Sequence, residues 1–280
     1  MNAILNADLH SHSTMSDGLL APADLVCRAH ANGVDLLALT DHDEIAGLAE
    51  ARAAAQGLGL RFVNGAEVSV SWQDQSVHIV ALGFDAAHAG LRDGLARVRG
   101  GRDARARRMS DALAAIGIRG VYEGALRHAG NPALISRAHI ARHLVEIGVA
   151  RDVASVFDHY LVRGKPGFVD HEWATLEEAV GWIHAAGGLA VIAHPGRTRV
   201  SRAGMDLLFA RFRDLGGDAI EVVSGTQCGP QALEFARVAR RYGFLASRAS
   251  DFHGPGESAV DVGRAERLPA GLAPVWDRLV

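Results

Sequence analysis

Lysine is nearly missing from this sequence: of its 29 basic residues, one, Lys165, is lysine and the others are arginine. Cysteine is almost as scarce. Cys27 and Cys228 stand alone with no CxxC spacing, so no disulfide framework or zinc knuckle is expected. Long apolar runs are missing too, and nothing approaches the roughly 20 residues needed to span a bilayer. The start, MNAILNADLH, reaches Asp8 and His10 before an apolar core of signal-peptide length can form. A soluble protein of a reducing cytoplasm is therefore expected, with no membrane association. Low-complexity tracts are absent while 49% of residues are hydrophobic, which excludes a fibrous, collagen-like or disordered chain. With a formal net charge of -3, the chain is not a general wrapper of nucleic acid. What it has in excess is histidine, 14 in 280 residues.

Short apolar runs alternate with helical patterns. Strands are expected at Ala3–Ala7, Asp35–Thr40, Leu60–Val63, Glu67–Val70, Val77–Phe84, Leu189–Ala193, Ala219–Val223 and Phe244–Ser247. Helices are expected at Pro22–Asn32, with Pro in the first turn, and at Glu44–Gln56, Arg202–Leu215 and Pro230–Tyr242. Thr175 followed by Glu178 reads as a capping box opening a further helix to Ala186. The alternation predicts a parallel α/β fold, and the number of units favours a barrel over a doubly wound sheet. From about Arg97 to Asp170 the rhythm breaks into helix after helix: Arg102–Ile116, Val121–Ala129, Arg137–Ile147 and Asp152–Phe157. The expected organisation is a barrel in two parts, 1–98 and 172–280, carrying a helical, substrate-capping insertion over 99–171.

The residues that follow the strands carry the chemistry, because strand C-termini of a parallel barrel face the active site. Asp8-Leu9-His10-Ser11-His12 and Asp17 follow the first strand, and Thr40-Asp41-His42-Asp43 the second. Glu67 and His78 belong to the middle strands, His194-Pro195-Gly196-Arg197 follows a later one, and Ser250-Asp251-Phe252-His253 follows the last. On an extended segment His10 and His12 point to the same side and can grip one ion. Taken singly, each of these polar residues has an ordinary explanation in a loop, a turn or the core. Their joint recurrence at strand ends does not. Six imidazoles and three carboxylates are too many ligands for one tetrahedral ion and suit a two- or three-metal cluster acting on phosphorus.

DLHSHSTMSDG at 8–18, LTDHD at 39–43, Glu67, His78, HPGR at 194–197 and SDFH at 250–253 resemble the ordered motifs of the PHP (polymerase and histidinol phosphatase) family. ISRAHIARHL at 135–144 and YLVRGKPGFV at 160–169 resemble its bacterial nucleoside 3′,5′-bisphosphate phosphatase subgroup, whose relatives also trim short RNA from the 5′ end. The resemblance implies a distorted (β/α)7 barrel and a trinuclear site. One ion would be held by His10, His12, Glu67 and Asp251. The second would be held by Glu67, His78 and His194, and the third by Asp17, His42 and His253. It also implies a bridging hydroxide held by Glu67 as nucleophile, with Asp17, His42 and His194 around it. Asp8 and Asp41, beside ligand positions, are expected to orient imidazoles. The ions are expected to be divalent, two or three per chain; manganese is favoured, with iron, zinc or magnesium also compatible.

Substrate contacts are expected from Ser136, Arg137, His139 and Lys165 in the insertion and from Arg197 after His194. Arginine offers a planar fork for phosphate, and Lys165 sits in a Gly-Lys-Pro-Gly loop suited to presenting one ammonium. One phosphate would sit on the metals and a second on Ser136, Arg137 and Lys165. The tract holding Arg97, Arg99, Arg102, Arg105, Arg107 and Arg108 reads as a solvated helix face rather than a nucleic-acid patch, because Asp103 and Asp111 are interspersed. Phe252, Trp173, Phe168 and Tyr160 could wall a base but read first as core. The expected substrate is a nucleoside 3′,5′-bisphosphate, losing its 3′-phosphate. Exonuclease action on short RNA, a histidinol-phosphate-type phosphatase and a non-catalytic metal-binding module stay open. No obligate protein partner is indicated.

Overall fold

The computed structural model describes residues 5–279. Seven strands form one sheet in sequence order: β1 (Ala7–Asp8), β2 (Leu36–Leu39), β3 (Arg61–Trp72), β4 (Gln75–Leu82), β5 (Leu189–Ile192), β6 (Ala219–Ser224) and β7 (Leu245–Ala249). Past β1 and β7 the sheet closes on itself. His12 N donates to Phe252 O at 2.9 Å, Asp251 N donates to His10 O at 3.0 Å, and Ser11 bridges Phe252 in parallel. Part of the strand expected at Ala3–Ala7 lies outside the described residues.

Alternation along the strands makes two apolar faces. Leu36 and Ala38 join Ala7, Leu9, Val63, Val80, Val191 and Ala219 in one cluster, which Val275 also enters from the C-terminal turn. Leu37 and Leu39 join the larger cluster between strands and helices. Around the strands lie α1 (Pro22–Ala31), α2 (Leu48–Leu58), α3 (Ala89–Gly100), α8 (Leu176–Ala185), α9 (Arg202–Asp214) and α10 (Pro230–Tyr242). The capping box at α8 forms as the sequence predicts, with Thr175 and Glu178 each accepting from the other's backbone N–H. α3 was not anticipated; its N-cap is His88, whose ring accepts from Leu91 N.

The sheet departs from the expected parallel order at β4, which pairs antiparallel with both β3 and β5. The six residues between the expected strands Glu67–Val70 and Val77–Phe84 are too few for a crossover, which takes a dozen or more. They form a hairpin instead. β3 also runs unbroken through Gly65, where the sequence reading placed a gap. A Cβ there would lie 2.5 Å from Thr40 Cγ2 and 2.6 Å from Leu39 O, so only glycine allows the strand to pass this close to β2.

Between β4 and β5 the chain forms α4 (Arg102–Ala114), α5 (Val121–His128), α6 (Arg137–Glu146) and α7 (Val153–Val156), then a π-helical turn over 157–161. These elements bury an apolar cluster of their own, including Met109, Leu113, Val121, Ile140, Leu144 and Leu161. Among the described residues no helix is long and apolar enough to cross a membrane.

Candidate metal centre

All nine residues expected as ligands converge at one end of the barrel. His10 and His12 lie on the extended segment leaving β1. Ser11 between them points away, its hydroxyl donating to Ala38 O at 2.8 Å, so both imidazoles face inward. Asp17 is carried by a tight turn in which Gly18 N donates to Ser13 O at 2.8 Å. A Cβ on Gly18 would meet His12 O at 2.3 Å, so glycine is required for this turn to fold against the ligand segment. Glu67 lies on β3 and His78 on β4, where the register pairs His78 with Ser69 and brings the imidazole to the Glu67 face. His194 and Asp251 follow β5 and β7 with φ of 24° and 53°. Two non-glycine residues in the left-handed region, at the ends of two strands, are strained positions of the kind that cluster at functional sites.

Around His10 and His12 the donor atoms are spaced as the corners of a coordination polyhedron. Ligands at about 2.1 Å from an ion lie about 3.0 Å apart in an octahedron and about 3.4 Å apart in a tetrahedron. His10 Nε2 is 3.1 Å from His12 Nε2, 3.3 Å from Glu67 Oε2 and 3.5 Å from Asp251 Oδ1. His12 Nε2 is 3.2 Å from Asp251 Oδ1 and 3.4 Å from Glu67 Oε2. On the other side of Glu67, Oε1 lies 2.7 Å from His78 Nδ1 and 2.9 Å from His194 Nε2. Asp17 Oδ1 lies 3.5 Å from His253 Nε2, 3.7 Å from His42 Nε2 and 4.0 Å from His12 Nδ1. His42 also reaches Glu67, Nδ1 to Oε2 at 2.8 Å.

The electrostatics fit a cation. Burial pushes the Glu67 carboxyl up, but His42, His78 and His10 outweigh it and hold it well below the usual carboxylate range. Asp251 is likewise held down against burial by Arg197 and His10, and Asp17 by His42 and His253. The imidazoles divide. Burial pushes His12 and His78 down to about 4, reinforced at His12 by His253. At His42, burial is overcome by Glu67 and Asp17, which raise it to about 9. Three ionised carboxylates thus draw protons onto some imidazoles, and a divalent ion would take the place of those protons. Two buried atoms of the cluster, His12 Nδ1 and Asp17 Oδ1, make no hydrogen bond, a costly arrangement unless another group engages them. The donor set therefore fits divalent metal ions.

The cluster opens into a cavity of about 560 Å³ lined by Asp17, His42, Glu67, His78, His194, Asp251 and His253 on one side and by Arg102, Arg105, Ser136, Arg137 and Trp173 on another. Of the expected substrate contacts, Ser136, Arg137 and Arg197 line it. Ser136 donates to Asp17 Oδ2 at 3.1 Å, and the Arg197 guanidinium pairs with Asp251. His139 and Lys165 are not brought to it. His139 is buried as the capping-box partner of α6, its Nδ1 accepting from Ser136 N at 3.0 Å, which leaves it no access to a ligand. Lys165 is exposed on the turn over 163–167 and lines neither this cavity nor its neighbour. Asp8 and Asp41 do not orient imidazoles as expected. Asp8 accepts from Ser250 N and Gly263 N, and Asp41 from Ser13 N and the hydroxyls of Ser13 and Ser16, so both tie ligand-bearing loops.

The PHP domain model matches residues 8–188. The chain belongs to the PHP domain family. A 3′,5′-nucleoside bisphosphate phosphatase of Chromobacterium violaceum is 52% identical over 98% of this chain and 96% of its own length. A 5′-3′ exoribonuclease of Salmonella typhimurium is 45% identical over 96% of this chain and 92% of its own. A solved structure of an amidohydrolase from Chromobacterium violaceum, with bound sulfate and no metal, covers 98% of this chain and 95% of that chain at 52% identity, with a TM-score of 0.95. This PHP protein is a metal-dependent phosphoesterase.

Three residues of the PHP site escaped the sequence reading. Glu221 on β6 is buried, its Oε1 2.7 Å from His10 Nδ1, while its Oε2 accepts from His194 N at 2.6 Å. It fixes His10 with Nε2 toward the cluster. Its signal was a carboxylate in the middle of an otherwise apolar strand, AIEVVS. Arg102 and Arg105, read as a solvated face, are buried to 5% and 8% exposure. Arg102 pairs with Asp43 and lies over Trp173, its Cζ 5.0 Å from a Trp173 ring centre. Arg105 also lies over Trp173 at 5.2 Å, and it has no carboxylate partner among the described residues. Of the aromatics read as core, Phe252 is buried, whereas Trp173 lines the cavity and Phe168 its neighbour.

Proposed function

We propose that this protein removes the 3′-phosphate from nucleoside 3′,5′-bisphosphates, releasing phosphate and a nucleoside 5′-monophosphate. The observation that carries the reading is a cavity with two anion-seeking walls. One wall is the His/Asp/Glu cluster; the other holds Arg105 and Arg137, neither of them paired with a carboxylate among the described residues. Burial disfavours the charge on both guanidiniums, and each lies close to further arginines, a penalty that a bound phosphate would relieve. The full-length likeness to a phosphatase named for this substrate supports the same choice.

In this reading His10, His12, Glu67 and Asp251 would hold one ion, Glu67 with His78 and His194 a second, and Asp17, His42 and His253 a third. Divalent metals held there, manganese first among them, would supply an activated water and positive charge for the non-bridging phosphate oxygens. Glu67 would serve both of the first two positions, Oε2 facing His10 and His12 and Oε1 facing His78 and His194. Arg197 holds Asp251 and lines the cavity beside it. Arg105 and Arg137 hold the phosphate that is not cleaved, so that its binding energy orients the one that is. The helical segment over 99–171 serves as the capping unit that carries this second wall.

A second reading, 5′-3′ exonuclease action on short RNA, is favoured by an adjoining cavity of about 920 Å³ that shares Arg105, Arg137, Phe157, Trp173 and Arg197 with the first. Phosphate and nucleotide release measured over nucleoside monophosphates, 3′,5′-bisphosphates and short oligoribonucleotides, with added manganese, separates the two. The bisphosphate is expected to be the best substrate by kcat/KM, and Asp251→Ala and His12→Ala are expected to abolish turnover with the fold intact. A preference for the oligonucleotide would favour the second reading. Retained turnover in either variant would remove the cluster from the mechanism.

A further inference from the structure

Within the Asp17, His42 and His253 group, Asp17 is held differently from the other candidate carboxylates. Glu67 touches His42, His78 and His194 at 2.7–2.9 Å and lies 3.3–3.4 Å from His10 and His12. Asp17 Oδ1 stands off at 3.5 Å from His253 and 3.7 Å from His42, and it makes no hydrogen bond. Glu67 anchors His42, but no short contact fixes Asp17 against His253, so the loops that carry these two must.

Those loops meet at Arg142. This residue lies on α6, outside the barrel strands, and is 7% exposed. Its Nε donates to Glu257 Oε1 at 2.7 Å and its NH2 to Glu257 Oε2 at 2.8 Å, a two-point pairing of guanidinium and carboxylate. The same NH2 donates to the backbone carbonyl of Asp17 at 2.5 Å. Glu257 belongs to the turn after His253. That turn is tied to His253 through Ser258, whose hydroxyl accepts from His253 N at 2.7 Å. The Asp17 loop is joined to it directly, Leu19 N donating to His253 O at 2.6 Å. One guanidinium therefore spans the two loops that supply Asp17 and His253. From the N-cap of the same helix, Ser136 reaches the other Asp17 oxygen.

We propose that Arg142 is a positioning residue that sets the affinity of the Asp17–His42–His253 group for its ion, making α6 a clamp on that position. The proposal rests on the reading that these three residues bind a metal. A guanidinium is needed because one planar fork must serve a carboxylate and a carbonyl at once; lysine offers a single point charge.

The test measures metal content by mass spectrometry after dialysis against manganese, and stepwise affinity by chelator competition, for the wild type, Arg142→Lys, Arg142→Gln and Glu257→Gln. Thermal melts serve as the folding control. We expect the most weakly held equivalent to lose at least tenfold in affinity in each variant while the tighter equivalents are unchanged. We also expect excess manganese to restore kcat with little change in KM. Should the Arg142 variants fail to fold, Glu257→Gln, at a more exposed position, carries the test alone. Unchanged affinities, or an equal loss at every equivalent, would overturn the clamp. A wild-type protein that binds no manganese would overturn the metal reading itself.

Discussion

Glu221 shows what a single buried carboxylate does for the site. It holds one ring nitrogen of His10 at 2.7 Å and the backbone of His194 at 2.6 Å, so two candidate ligands from different strands are indexed to one side chain. Glu221→Gln keeps the shape but cannot choose the His10 tautomer as firmly. A loss of about 10- to 100-fold in metal affinity or kcat is expected, with an unchanged melting profile in the metal-free protein. Steady-state kinetics across a manganese titration would check it. At this scale the candidate ligands were legible because a polar residue at a strand end is chemically out of place in a core. Glu221 was passed over because it lies inside a strand, where one charge among AIEVVS is easily read as sheet patterning. Arg105 was masked by the acidic residues interspersed along its helix, which suggested solvent where the fold supplies Trp173.

Among the elements, α6 concentrates several functions in its first turns. Its capping box depends on a neutral His139, because Nδ1 must accept from Ser136 N. Burial pushes His139 down to about 4, with Arg142 adding to the effect against Asp17. Between the unfolded value near 6.5 and about 4, the unfolded chain takes up a proton that the folded chain refuses. Stability from this residue is thus complete above pH 6.5 and lost as pH falls toward 4, by at most about 3 kcal/mol. His171, also pushed down to about 4 by burial and then by Arg105, acts in the same direction. Melting temperature should fall from pH 6.5 to 4.5, and His139→Gln, which preserves an acceptor at the capping position, should flatten that slope. An unchanged slope would count against a neutral His139. The helices around the barrel were legible from caps and periodicity. The reversal of β4 was not read, although the shortness of the connection to β3 implied it.

For the molecule as a whole, the barrel and the helical segment meet at the cavity through two ion pairs, the buried Arg102 with Asp43 and the buried Arg142 with the more exposed Glu257. Arg105 faces the same cavity with no such partner among the described residues, which is why we assign it to substrate rather than to the seam. Arg105→Met retains the stem that packs on Trp173 and removes the charge. It should lower kcat/KM on a nucleoside 3′,5′-bisphosphate by about 10- to 100-fold, the loss expected for charged hydrogen bonds. A simple aryl phosphate should be hydrolysed almost as before. Equal losses on both substrates would place Arg105 in the seam. The barrel and its helical segment were both evident from the break in strand-helix rhythm. How the two join was not, because pairs such as Arg142 and Glu257 lie more than a hundred positions apart and leave no local pattern.

The scarcity of lysine has a practical side now that Lys165 is seen on an exposed turn, away from the arginine-lined cavity. Guanidiniums ignore ordinary amine-reactive reagents, so such a reagent finds one side-chain amine on the entire chain, plus the terminal one. A fluorophore or cross-linker can be placed on the helical segment by chemistry alone. There it would report movement of that segment against the barrel in the unmutated enzyme while it turns over.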